Sequence, residues 1–206
     1  AHTDDVDSFL QDCKTIMNDD TRLYIQTSQA DMIEDGQFDT IYHEHLSFFS
    51  TRSMKALCDR NGLHIVSVRR VDIHGGSYLF TIMKSDIAKD ATVEESIIRE
   101  EKAGRYSLEQ YKKYSDRVNN IILTSKSIVK EYLAKGYLII GYGAAAKGNT
   151  FLNASGIKPH FIIDDNELKH NKLTPGSNCI IKDKTFIRTL ANDVLFIPLS
   201  WNFYDE

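Results

Sequence analysis

Apolar residues recur at helical spacing through residues 5–18, where Val6, Phe9, Leu10, Cys13, Ile16 and Met17 form an amphipathic pattern and Asn18-Asp19-Asp20 ends it. A short strand is expected at 22–26 (RLYIQ) and one or two helical turns at 30–35, stopped by Gly36. Residues 38–50 follow neither a period of 2 nor one of 3.6 and are rich in aromatic and histidine side chains. A helix over 52–60 closes at Asn61-Gly62, a good stop signal. Strands over 63–69 and 77–84 follow, joined through Ile73-His74-Gly75-Gly76.

From residue 92 to 135 the chain turns helical and charged. Leu108, Tyr111, Tyr114, Val118, Ile121, Ile122, Ser125, Ile128, Val129 and Leu133 trace one apolar stripe on a long helix whose charged face reads as solvated. Gly136 ends it, and the pattern changes to strand–helix alternation: strand 137–141, helix 144–154, strand 160–164, a short strand near 179–181, helix 185–191 and strand 193–198. Alternation of this kind builds a small parallel-sheet unit of Rossmann type, so the fold class is α/β.

Composition narrows the partners. A chain of 206 residues buries a real core in one or two domains. Its net charge of −4 supplies no basic footprint for nucleic acid. Lysines and histidines are scattered rather than clustered, which argues against a membrane surface. The apolar runs, such as 137–141, are too short to span a bilayer. Cys13, Cys58 and Cys179 are far apart, as expected of reduced thiols in a cytoplasmic protein.

Two stretches carry chemistry. In Tyr42-His43-Glu44-His45, two imidazoles, a carboxylate and a phenol lie within four residues, flanked by Phe38, Phe48 and Phe49. A polar turn with satisfied histidines is the bland reading. A metal site is another, but position 48 is Phe, so the HExxH zinc spacing is not met, and no further ligand group is obvious downstream. General acid–base work is favoured, because imidazole titrates near neutrality and a neighbouring carboxylate orients it. An extended backbone would put Tyr42 and Glu44 on one face and His43 and His45 on the other. Convergence therefore requires a bend.

The second stretch is 141–149 (GYGAAAKGN), which follows a strand and opens a helix. Gly141, Gly143 and Ala144 let backbone N–H groups approach a phosphate, and Lys147 adds positive charge in the first helical turn. Asp164 ends the next strand, where a dinucleotide fold keeps its ribose-binding acid. The alternatives are a tight turn that needs small residues only for packing and, on the glycine turn alone, a nicotinamide-dependent oxidoreductase.

Together these features resemble S-adenosylmethionine-dependent C-methyltransferases acting on nucleotide-linked deoxysugars. The matching residues are Ala1-His2, 38–50 (FDTIYHEHLSFFS), Ile73-His74-Gly75-Gly76-Ser77, 141–149, Ile163-Asp164-Asp165-Asn166, Thr174-Pro175-Gly176-Ser177 and Trp201-Asn202. The helix–strand–strand run up to residue 84 resembles the close of a class I methyltransferase sheet, whose last two strands form an antiparallel hairpin.

The resemblance implies three parts: 1–90 as the C-terminal part of a class I methyltransferase domain, 91–135 as a helical connection, and 136–206 as a Rossmann-like C-terminal domain. It also implies that the first four methyltransferase strands, the S-adenosylmethionine site and a zinc-binding module lie upstream, which leaves this chain inert by itself. The implied reaction is methylation of a sugar carbon beside a ketone through a base-generated enolate. His45 is the implied base, Glu44 an orienting carboxylate, and Tyr42 and His2 hydrogen-bond donors to the enolate oxygen. His43, His74, Gly75, Gly76, Ser77, Gly141, Gly143, Ala144, Lys147, Asn149 and Asp164 are the implied contacts to the nucleotide-diphosphate sugar. A non-catalytic nucleotide-sugar-binding module is the other reading of the same motifs.

Overall fold

The computed structural model describes residues 2–27, 31–73, 75–85 and 90–201. The chain divides into two compact units. The first comprises Ala1–Gly36 and His43–Tyr114, the second Gln37–Tyr42 and Ser115–Glu206. Residues 91–135, read from the sequence as a connection, are therefore shared between the two.

The first unit holds an antiparallel sheet of β1 (Leu23–Thr27), β2 (His64–Val71) and β3 (Ser77–Met83) in the order β1-β3-β2. β3 is central, and Tyr78, Phe80 and Ile82 along it are fully buried. α1 (Val6–Ile16) and α3 (Thr51–Arg60) bring Leu10, Met54, Leu57 and Cys58 onto the same core. Both helices start where the sequence offers caps: Asp5 accepts the Ser8 N–H, and Ser50 and Ser53 form a reciprocal capping box. Arg60 and Asn61, at the end of α3, both donate to Asp7 in the first turn of α1 and hold its carboxyl down to about 2. Burial pushes the Cys58 thiol up to about 12, so it is a core residue rather than a reactive one.

The expected helix over 92–135 is two helices, α4 (Thr92–Lys102) and α5 (Leu108–Ala134). The break has a local cause. Gly104 takes a left-handed backbone (φ +73), the Arg105 N–H bonds the Glu100 carbonyl and the Gly104 N–H bonds the Glu101 carbonyl. This is a Schellman stop, which needs glycine where the backbone reverses.

The second unit is a four-stranded parallel sheet, β6-β5-β4-β7, built from β4 (Leu138–Tyr142), β5 (Phe161–Ile163), β6 (Ile181–Lys182) and β7 (Val194–Pro198). One face packs under α6 (Ala146–Ser155) through Leu152, Ile157, Ile162 and Leu199. The other buries Ile140, Phe161 and Ile163 against Ile187 and Leu190. The helix expected at 185–191 is a 3-10 segment, Lys184–Thr189, started by the Asp183 side chain accepting the Thr185 N–H.

Glycine is required where α6 meets the segment after β7. A Cβ on Gly148 would stand 2.4 Å from Leu199 Cβ and 2.7 Å from the Leu199 carbonyl oxygen. Gly156, which ends α6 with φ +68, has nothing within 4 Å of such an atom. Gly148→Ala is therefore expected to cost about 3 kcal/mol, the upper end for overpacking, because the blocking atoms include backbone. Gly156→Ala is expected to cost only the left-handed penalty, about 1 kcal/mol. Urea denaturation of the two variants measures the difference, and equal losses would contradict this seating of α6.

Candidate active site

The bend that convergence requires is present, since the chain turns at His43-Glu44. Strand-like alternation is broken there, and His45 points inward, 8% exposed, while the His43 side chain stays 88% exposed. The His45 ring meets His2 edge-on, centroids 5.0 Å apart at 84°, and meets Phe48 at 6.1 Å and 80°. Glu44 lies on the open side of this group. Its carboxylate is 4.0 Å from His2 Nδ1 and 3.9 Å from His43 Nε2, too long for direct hydrogen bonds but close enough to attract either imidazole when protonated. The structure thus brings together His2, Glu44 and His45, with His43 at the solvent edge. A buried imidazole walled by aromatic rings, with a carboxylate nearby, is equipped to take and return a proton.

Tyr42 is half-buried and belongs to the second unit, as do the five residues before it. The stretch read as one cluster is thus divided between the units after Tyr42. In the second unit Phe38 packs on Phe151, with ring centroids 6.3 Å apart. The Trp201 indole N–H donates to the buried Asp39 carboxylate at 2.5 Å. Lys147 Nζ lies 4.5 Å from the centroid of the Trp201 ring, and the residue is 9% exposed. Burial lowers the Lys147 pKa, opposed by the Asp39 charge. Asp39 and Trp201 were not among the candidate residues. The available signals were the acid inside the 38–50 motif and the single tryptophan of the chain.

The glycine turn has more packing reasons than its sequence suggests. A Cβ on Gly141 would meet Leu199 Cδ1 at 2.7 Å, and one on Gly143 (φ +84) would meet Ser200 Oγ at 2.1 Å. Asp164 does not face outward as a ribose acceptor. Its Oδ2 accepts the Ala144 N–H at 2.7 Å and the Lys169 ammonium at 2.9 Å, and its Oδ1 accepts the Asn166 N–H at 2.9 Å. Burial favours the neutral acid, but these donors outweigh it and lower the pKa. Asp164 therefore shapes the turn. The N-terminus of α6 has no side-chain cap: Ala145 at the cap position supplies no acceptor, and Lys147 sits in the first turn. Asn149 bonds its N–H to the Ala145 carbonyl, and its Oδ1 is buried with no hydrogen-bond partner among the described residues.

His74 lies outside the described residues. Gly75 (φ +83) and Gly76 (φ +108) make the turn between β2 and β3, where the Gly76 N–H and the Ser77 hydroxyl both donate to the Ile73 carbonyl. Among the described residues there is no group of three His, Cys, Asp or Glu side chains placed to hold a metal, and no helix is long and apolar enough to cross a membrane.

The chain matches the family model of a C-methyltransferase C-terminal domain over residues 72–206 and that of a methyltransferase domain over residues 1–68. It is 29% identical over 214 residues to C-methyltransferase NovU of Streptomyces niveus, an alignment covering 100% of this chain and 50% of that protein. The chain thus spans about half the length of the curated relative it matches. With its mixed α/β architecture of one antiparallel and one parallel sheet, and with the C-terminal-domain model matched over most of its length, the chain belongs to the C-methyltransferase family.

Proposed function

We propose that the whole protein methylates a carbon beside the ketone of a nucleotide-linked keto-deoxysugar, with His45 as the base. The observation that carries this reading is the burial of His45 against His2 and Phe48, with Glu44 at its open side. The C–H bond next to a ketone is weakly acidic, so a base must remove the proton while the oxygen that gains charge is stabilised. His45 takes the proton. His2 donates a hydrogen bond toward the enolate oxygen, and Glu44 attracts and orients that imidazole when it is charged. Tyr42 as a second donor rests on the sequence motif alone. S-adenosylmethionine, when bound, supplies the electrophilic methyl group that the carbanion takes. In the glycine turn Asp164 already accepts from Ala144 and Lys169, so the turn is not assigned to this donor.

In the second unit, taken by itself, a nucleotide-diphosphate site is assigned to the start of α6, which has no side-chain cap, and Lys147. Helix N–H groups and a buried ammonium together favour an anion. The absence of a side-chain cap and the placement of Lys147 support the assignment.

Two experiments test these assignments. In the protein extended through its donor-binding half, His45→Ala is expected to lower kcat by about 10²–10⁴-fold, the usual contribution of a general base, while donor and sugar nucleotide still bind. Unchanged turnover in that variant would remove His45 as the base. For the second assignment, isothermal titration of this chain with dTDP-linked and UDP-linked sugars should show saturable binding. Lys147→Glu should weaken it about tenfold or more, as expected for loss of a charge-assisted bond. Absence of binding to either ligand in the unmodified chain would count against the α6 site.

A further inference from the structure

In the first unit a buried guanidinium lies at the centre of a network that the acid–base reading does not use. Each N–H of Arg105 has an acceptor. Its Nε donates to Glu34 at 3.0 Å, one terminal nitrogen to Glu34 at 2.8 Å and Asp31 at 3.0 Å, and the other to the Tyr78 hydroxyl at 2.9 Å and Glu100 at 3.0 Å. Five donors meet five acceptor contacts, which exhausts the fork. Glu100 is wholly buried. The oxygen that receives Arg105 also receives the Thr51 N–H at 2.8 Å and the Thr51 hydroxyl at 2.9 Å, and its other oxygen takes the Tyr106 hydroxyl.

These acceptors bracket the segment that carries the acid–base residues. Asp31 and Glu34 lie just before Gly36, where the chain leaves this unit, and Thr51 ends the run that begins when it re-enters at His43. Between Leu46 and Ser50 the chain has neither helix nor strand. Within this run Phe49 packs on the core of the unit, and the two ends are fixed separately. One end is His45, packed on His2 and Phe48. The other is Thr51, held by Glu100, which is held by Arg105.

We infer that Arg105, acting through Glu100, is a positioning residue that clamps the segment presenting His45. For its catalytic consequence the inference rests on His45 being the base, but the clamp itself does not. Arg105 touches none of the reacting groups, and it is not proposed to touch substrate. Lysine cannot replace it, because a single ammonium cannot reach Glu34, Asp31 and Glu100 in the planar geometry of the fork.

The test uses this chain and histidine modification by diethyl pyrocarbonate, mapped by mass spectrometry. In the unmodified chain His45 is buried and should react slowly, while the exposed His43 reacts fast and serves as reference. Arg105→Lys is expected to raise the His45 rate about tenfold relative to His43, with the buried Cys58 thiol remaining unreactive. Glu100→Gln, which keeps the shape but loses the charge, should do the same to a smaller degree. The inference is overturned if His45 stays protected in both variants, or if it becomes reactive only when Cys58 does, which would mean general unfolding. In the methylating protein, Arg105→Lys should lower kcat more than tenfold and leave KM for the sugar nucleotide within about twofold. A change confined to KM would count against positioning. Absence of methylation in the unmodified protein would remove the proposed reaction but leave the histidine-protection result, and so the clamp, standing.

Discussion

A guanidinium does not lose its proton inside a protein, so burying one obliges the surrounding chain to bring acceptors to all of its N–H groups. Arg105 imposes that condition on the first unit. Burial pulls its pKa down, but the bonds to Glu34 and Tyr78 more than compensate, and the charge is held firmly in place. Several features of the unit follow from satisfying it. The Schellman stop at Gly104 ends α4 and sets the Arg105 and Glu100 backbones in contact. Asp31 is held in a left-handed conformation (φ 61), with one carboxylate oxygen on Arg105 and the other on Arg70 at 2.7 Å. Tyr78, on the central strand, buries its ring in the core and gives its hydroxyl to the same guanidinium. Removing one partner from such a set leaves uncompensated buried charge, at a cost of about 3–5 kcal/mol. That is why the network is better described as a determinant of geometry than as a source of stability.

The second unit depends on a different constraint, the close approach of α6 to the residues after β7. Gly141, Gly143 and Gly148 all stand where a side chain would collide with Leu199 or Ser200. A glycine-rich turn after a parallel strand is commonly read as a phosphate cradle, and here the same residues are demanded by packing alone. The two explanations are compatible, since the start of α6 carries no side-chain cap. They differ in what they predict for Asp164, and its carboxylate serves the turn.

Much of this was legible along the chain. The strands at 63–69 and 77–84, the stop at Asn61-Gly62 and the alternation of strand and helix after Gly136 rest on local signals, and these elements appear within a few residues of their expected places. What was not legible depends on contacts distant in sequence. The helical pattern over 92–135 concealed the break at Gly104, because an isolated glycine is tolerated in a helix unless its neighbours complete a Schellman stop. The turn at His43-Glu44 carries no glycine or proline, and nothing in 38–50 marks the change of unit after Tyr42. Asp164 and Arg105 illustrate the same difficulty. A carboxylate at a strand end and an arginine after a helix look like many others until partners such as Ala144 and Glu34, twenty or more residues away, are known.

Lys147 is the place where local rules disagree most. A helix start favours negative charge, and an ammonium there, largely shielded from water, is opposed by both the helix dipole and desolvation. Part of the conflict is relieved by the Trp201 ring beneath it and by the nearby Asp39 charge. Asp39 also takes the indole N–H, which fixes the ring in place for the lysine to lie on. The arrangement keeps a cation at a helix start beside a buried carboxylate and an aromatic ring. It makes sense if an anion is to be received there: the bound charge would then satisfy the helix N–H groups and the ammonium together. On the proposed nucleotide-sugar binding it is Lys147, more than the glycines around it, that the anion would need.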